Sequence, residues 1–147
     1  MPRTNEEDFL FETIRDAEAV RFVQAVFQVS QVLDDLYDRD RPVEKDQVQR
    51  VFWTMMVEIP HNRFYQMHIQ TLTPVLQTMM LDWMDSCELE RQGDHEKNIA
   101  FALRDSVGAL ISHCAYLING YDWMVKVSPA VRRHIFEESL EDYKGAL

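Results

Sequence analysis

Glycine, cysteine and basic residues are all scarce in this chain: four glycines, two cysteines and 15 Lys and Arg among 147 residues. Four scattered glycines supply no glycine-rich phosphate loop, and no GxSxG elbow presents a nucleophilic serine. Cys87 and Cys114 show no CxxC or other metal spacing, and no HExxH or HxH places histidines for zinc. Both cysteines fall in apolar helical settings, where a free thiol behaves as a small hydrophobe, so a reducing compartment is expected. No window reaches the roughly 18 uncharged apolar residues of a membrane span. The first residues, MPRTNEEDFLFE, are acidic where a signal peptide carries a basic segment and an apolar run. These absences lead to the expectation of a soluble, cytoplasmic protein.

The shortage of basic charge has its own consequence. Against 25 Asp and Glu, it leaves a formal net charge of −10. Such a surface repels phosphate backbones, since nucleic-acid affinity rests on Lys and Arg displacing counterions, and it repels anionic membranes for the same reason. Neither nucleic acid nor membrane is an expected partner. The only compact basic cluster, Arg132-Arg133-His134, is flanked by Glu137, Glu138, Glu141 and Asp142.

What the chain does have is helical patterning. With 46% hydrophobic and 27% charged residues it has globular composition. A chain of this size can bury roughly two thirds of its unfolded surface without disulfides or metal. The apolar period of 3.6 residues recurs from end to end and no alternating strand stands out. Residues 1–147 are therefore expected to form one all-α domain, a mostly antiparallel bundle of five to six helices around a proline-kinked central helix.

Thr4 or Asn5 can cap a first helix, with Glu6, Glu7 and Asp8 at its positive end. The apolar pattern continues through Phe22, Val26 and Leu36 as one long amphipathic helix, frayed near Arg15 to Ala17 or preceded there by a short separate lead-in, and ends in Asp38-Arg39-Asp40-Arg41. Pro42 suits the first turn of the next helix, which places Val48, Val51, Phe52, Met55, Met56 and Ile59 on one face and Trp53 and Val57 on another. Pro60 closes that helix and Asn62 can cap the central one. In the central helix Tyr65, Ile69, Leu72, Val75, Leu76, Met79 and Trp83 share the apolar face. Pro74 lies on the polar side and is expected to bend the rod there. Gly93 and Asp94 punctuate a charged turn. A stripe from Ile99 to Ile118 predicts one helix ended by Asn119-Gly120, the inner partner of the 64–83 helix. Ser128-Pro129 is expected to open the last helix, followed by a tail after Tyr143.

One acidic pattern has chemical potential. Asp34-Asp35-Leu36-Tyr37-Asp38 has the form DDxxD, with Asp34 and Asp38 one helical turn apart, so both carboxylates can hold a hard cation such as Mg²⁺. The motif is similar to the aspartate-rich motif of class I terpene and prenyl diphosphate synthases. That resemblance implies Mg²⁺ held by Asp34, Asp35 and Asp38 and a diphosphate or nucleotide substrate. It covers five residues, and the second metal motif of that family, NDxxSxxxE, has no counterpart. His68 and His113 fall on central helices, and a pair of His113 with Asp82 or Asp105 could act as a general base. The catalytic candidates are accordingly Asp34, Asp38, His68 and His113.

The other class of function is contact with protein. Trp53, Val57, Phe101, Tyr116 and Trp123 lie off the main apolar stripes, and aromatic residues concentrate at interfaces. If exposed, they predict self-association or another protein partner. Two stretches, IPHNRFYQMHIQTLTPVLQTMMLDWMDSCELE and FALRDSVGALISHCAYLINGYDWM, resemble small helical proteins of tailed bacteriophages through Asn-x-Phe-Tyr, Leu-x-Pro-Val and a Tyr-Leu-x-x-Gly end. The resemblance implies a virion-associated or accessory role in an infected bacterial cell, and it carries no catalytic residues.

Overall fold

The structure, a computed structural model, describes residues 5–39 and 41–147. The expected cap at Thr4 and the charged residue Asp40 lie outside them. The class is all-α, with 86% of the chain helical and no strand among the described residues. Contacts divide the chain into two compact units, Met1–Ile69 and Gln70–Leu147.

In the first unit, α1 (Asn5–Ile14) is a separate lead-in helix. It stops because Arg15 takes a left-handed φ of 66°. Asp16, in extended backbone, then caps α2 (Ala17–Asp38) by accepting from the Ala19 N–H at 2.9 Å. α2 buries Ala19, Val20, Phe22, Val23 and Val26, opposite which Leu10 and Ile14 of α1 are fully enclosed. The next helix, α3 (Lys45–Trp53), begins three residues beyond the expected Pro42. The Glu44 N–H donates to Gln47 Oε1 at 2.8 Å, and this capping box fixes the start, leaving Pro42 in the loop. A π-helical segment (Thr54–Glu58) and a short α4 (Ile59–His61) continue the same rod, so Pro60 lies within it. Asn62 ends the rod and does cap the next helix, α5 (Arg63–Leu89): its Oδ1 accepts from Tyr65 N–H at 2.9 Å while its Nδ2 donates to the Glu18 carbonyl at 3.0 Å. That double bond pattern ties the turn to α2. Phe22 meets Phe64 and Tyr65 with ring centroids 5.9 and 5.3 Å apart.

α5 is two helical stretches joined across a kink, and the kink is not at Pro74. It falls six residues earlier, at His68 (φ −119°, ψ 19°), whose ring packs on Phe64. Pro74 lies on the exposed side, as expected. Water can there take the carbonyl of Gln70 that the proline leaves without a donor, so the backbone need not break.

In the second unit, Leu72, Met79 and Cys87 of α5 are buried. Ile69, expected on the same face, directly follows the His68 break and is exposed. The stripe from Ile99 to Ile118 is divided into α6 (Asp94–Leu103) and α7 (Asp105–Asn119), and Ile99 and Ile118 themselves are exposed. The break comes at Arg104. Its guanidinium lies over the rings of Phe101 and Tyr143 and bonds Glu138 at 3.0 Å, while its backbone makes the tighter i→i+3 bonds. Gly120 (φ 89°, ψ −177°) ends α7 and starts α8 (Tyr121–Ile135). Here too the expectation shifts: Pro129 lies inside α8 instead of opening a helix. α7 and α8 are the most closely packed helices of this unit. A Cβ on Gly108 would stand 3.2 Å from Ile135 Cγ1 and 3.5 Å from Val131 Cγ1, so side chains of α8 fill the space that this glycine leaves on α7. Of the expected inner pairing with the 64–83 helix, the structure shows His113 Nε2 at 3.3 Å from Thr71 Oγ1. The last helix, expected to carry Val131 through Leu140, is divided: α8 ends at Ile135, and after Ser139, which accepts from the Asp142 N–H at 3.1 Å, a final helix α9 (Leu140–Gly145) begins. It is anchored by buried Tyr143, whose hydroxyl donates to Glu90.

Candidate interaction surface

The rod made of α3, the π segment and α4 is built inside out. Its only buried side chain is Thr54, 1% exposed, whereas Met56 is 73%, Phe52 58% and Trp53 54% exposed. Met55 and Val57 are exposed as well. Phe52, Met55 and Met56 were expected on the rod's main apolar face, covered by the protein itself; they are open to solvent instead. The cause is local. Pro60 has no N–H for the carbonyl of Met56 and its ring crowds that carbonyl. The chain widens into a π turn, closed by the Ile59 N–H on the Thr54 carbonyl. Widening changes the phase of the side chains after Trp53, so a face drawn at 3.6 residues per turn no longer describes that part of the rod; Phe52 precedes it and owes its exposure to the lack of a covering element.

The inward side of the rod is polar and bonded. Thr54 Oγ1 donates to the Arg50 carbonyl at 3.0 Å and lies 3.4 Å from Glu58 Oε2; Arg50 Nη2 donates to Glu58 Oε1 at 2.9 Å. Beyond it, a cleft of about 370 Å³ opens between Glu18 and Arg21 of α2 and Glu58, His61 and Asn62. Both carboxylates in it already hold a cation. The hydrogen bond from Arg21 keeps the Glu18 carboxyl below its ordinary range, against a smaller opposing effect of burial.

The candidate catalytic residues do not assemble in this way. Asp35 accepts from Gln31 Nε2 at 3.0 Å, Asp34 is half-buried, and Asp38 is exposed at the end of α2. Among the described residues no three His, Cys, Asp or Glu side chains come together to hold a metal ion. His68 packs at a tilt against Phe64 in the first unit, with centroids 4.9 Å apart. His113, in the second unit, faces Thr71. Asp105 is not its base partner: Oδ2 takes Arg132, and Oδ1 is buried without a hydrogen bond.

Of the five candidate interface residues, Trp53, Val57 and Tyr116 are exposed. Phe101 is half-buried between Phe136 and Tyr143, with centroids 5.0 and 5.2 Å away, and Trp123 is half-buried beneath the Lys126 ammonium. The residues that sequence reasoning missed are Phe52, Met55 and Met56. The signal for the two methionines was Pro60 placed four residues after Met56.

No protein-family model, curated protein or solved structure matches the chain. No helix among the described residues is long and apolar enough to cross a membrane.

Proposed function

We propose that this chain is a non-enzymatic protein-contact module, and that the exposed strip Phe52, Trp53, Met55, Met56 and Val57 is its contact surface. The observation that carries the proposal is the inversion of the rod: a threonine hydroxyl points inward while two aromatic rings and two thioethers face water. Contiguous apolar surface of this kind marks a site covered in use, and aromatic and Met side chains are the types enriched at such sites. The net charge of −10 keeps the rest of the surface acidic and argues against nucleic acid as the partner. The setting suggested by the phage resemblance is a virion-associated or accessory role within an infected bacterial cytoplasm.

The test is a photo-crosslinking residue in place of Met56, compared with one in place of Gln92, which is exposed on a charged turn. In cells expressing the chain, position 56 should give protein adducts well above position 92. Equal, background yields at both would remove the basis for the proposal. The Mg²⁺ reading of Asp34, Asp35 and Asp38 has its own check: isothermal titration with Mg²⁺ and pyrophosphate should show no binding heat, and heat lost in Asp34→Ala would turn the reading toward an enzyme.

A further inference from the structure

We infer that the partner covering this strip is a second copy of the chain, packed antiparallel across a two-fold axis at the level of Thr54; the inference rests on the contact-surface reading above. The strip is a palindrome by residue class. Val51-Phe52-Trp53 precedes Thr54 and Met55-Met56-Val57 follows it. A two-fold contact pairs residue i with j and j with i. Turning one rod against another about position 54 therefore sets Phe52 against the Met56 of the second copy and Met56 against its Phe52, with Trp53 and Met55 on opposite flanks of that line. Each Phe52 ring then meets a thioether, a favourable contact that flexible Met side chains adapt to make. A parallel arrangement would set ring on ring and sulfur on sulfur with no such match. Phe52 and Met56 lie one turn apart, both strongly exposed, so the same outward side of the rod presents the two ends of the pairing.

Charge selects the same place. Two chains of net charge −10 repel across most of their surfaces. Residues 51–57 carry no charge, and the nearest acid after them, Glu58, is neutralised by Arg50. Copies can approach here without setting carboxylate against carboxylate. The area also suffices: two half-exposed aromatic rings, each of about 150–250 Å² in full, with two Met and a Val, offer several hundred Å² per chain. Counted on both copies, this approaches the ~1,200 Å² at which specific interfaces begin.

The experiment is sedimentation equilibrium on the full chain and on two variants, Phe52→Glu and Met56→Lys, with circular dichroism melts to confirm that these exposed substitutions leave the fold intact. The parent chain should sediment as a dimer. Each variant alone should lose at least tenfold in association, because a charge enters an apolar contact. Mixed in equal amounts, the two should recover a dimer, since the antiparallel pairing places Glu at 52 against Lys at 56 and keeps the native Met56 and Phe52 contact at the other end. A parent chain that stays monomeric at every concentration overturns the inference, as does dimerisation untouched by either variant. Loss in both variants without recovery on mixing overturns the antiparallel register. A monomeric parent whose position 56 still crosslinks to another protein leaves the contact-surface reading standing and removes only the second copy.

Discussion

Arg50 and Glu58 form an ion pair at 2.9 Å across eight residues of one rod. On a regular α-helix those positions face about 80° apart. The π turn between them brings Glu58 back to the side of Arg50 and of buried Thr54. One widened turn therefore collects the polar groups of the rod inward and leaves its apolar groups outside. The pair itself is largely exposed and adds at most about 1 kcal/mol; its importance is in where it directs the rest.

Thr54→Val should lower stability by about 1 kcal/mol, because it removes a buried hydroxyl that donates to the Arg50 carbonyl and leaves that acceptor with one partner fewer. Urea denaturation with an unchanged slope and a lower midpoint is the expected result. A midpoint at or above that of the parent would show that the hydroxyl does not secure the turn.

Gly120→Ala should cost about 1–3 kcal/mol, since φ 89° with ψ −177° is a region open essentially to glycine alone. Gly145→Ala is the matched control: an added Cβ there meets nothing within 4 Å. Thermal melts should separate the two variants clearly. Equal effects would mean that the α7–α8 corner relaxes to accept a side chain.

Ile111→Ala removes a fully buried side chain from α7 and should destabilise by about 2–5 kcal/mol. Met80→Ala, on an exposed part of α5, should stay within about 0.5 kcal/mol. Chemical denaturation of both variants checks the assignment of core and surface in the second unit.

Acid should weaken the first unit through Glu18. Its folded carboxyl titrates below the ordinary value of 4.5, chiefly because Arg21 bonds the ionised form. A lowered folded value means that the contribution is complete above the unfolded value and is lost as pH falls through the folded one. Melts followed from about pH 7 to about pH 3 should show Glu18→Gln with a flatter acid limb than the parent. Because the group is still partly open to solvent the difference is small, and parallel acid limbs would refute it.

The sequence made the helical class legible because 3.6-residue periodicity survives in every long segment. The Asn62 cap and the Gly120 stop were also readable, since each is a residue type suited to one backbone task. The prolines were misleading. Pro42, Pro74 and Pro129 were assigned starts or bends, yet a capping box at Glu44 and Gln47 overrode the first, and solvent-exposed faces let the helices carry the other two. Pro60 had the larger effect, and periodicity could not reveal it, because a π turn alters the period on which such reading depends. That bears on Met55 and Met56, which follow Trp53; Phe52 precedes the π turn and shows that periodicity picks out an apolar face without showing what covers it. DDxxD shows the opposite limit: spacing puts Asp34 and Asp38 on one face, but it cannot supply a third ligand from elsewhere in the fold.

The two thiols give the molecule a practical property. Cys87 and Cys114 are both buried, and enclosure pushes the Cys114 thiol up to about 12, so the protonated, unreactive form dominates at neutral pH. A single cysteine introduced on the surface should therefore take a maleimide dye or spin label with little background from the native pair. Distances and rotational mobility along the exposed rod become measurable in the otherwise unaltered chain.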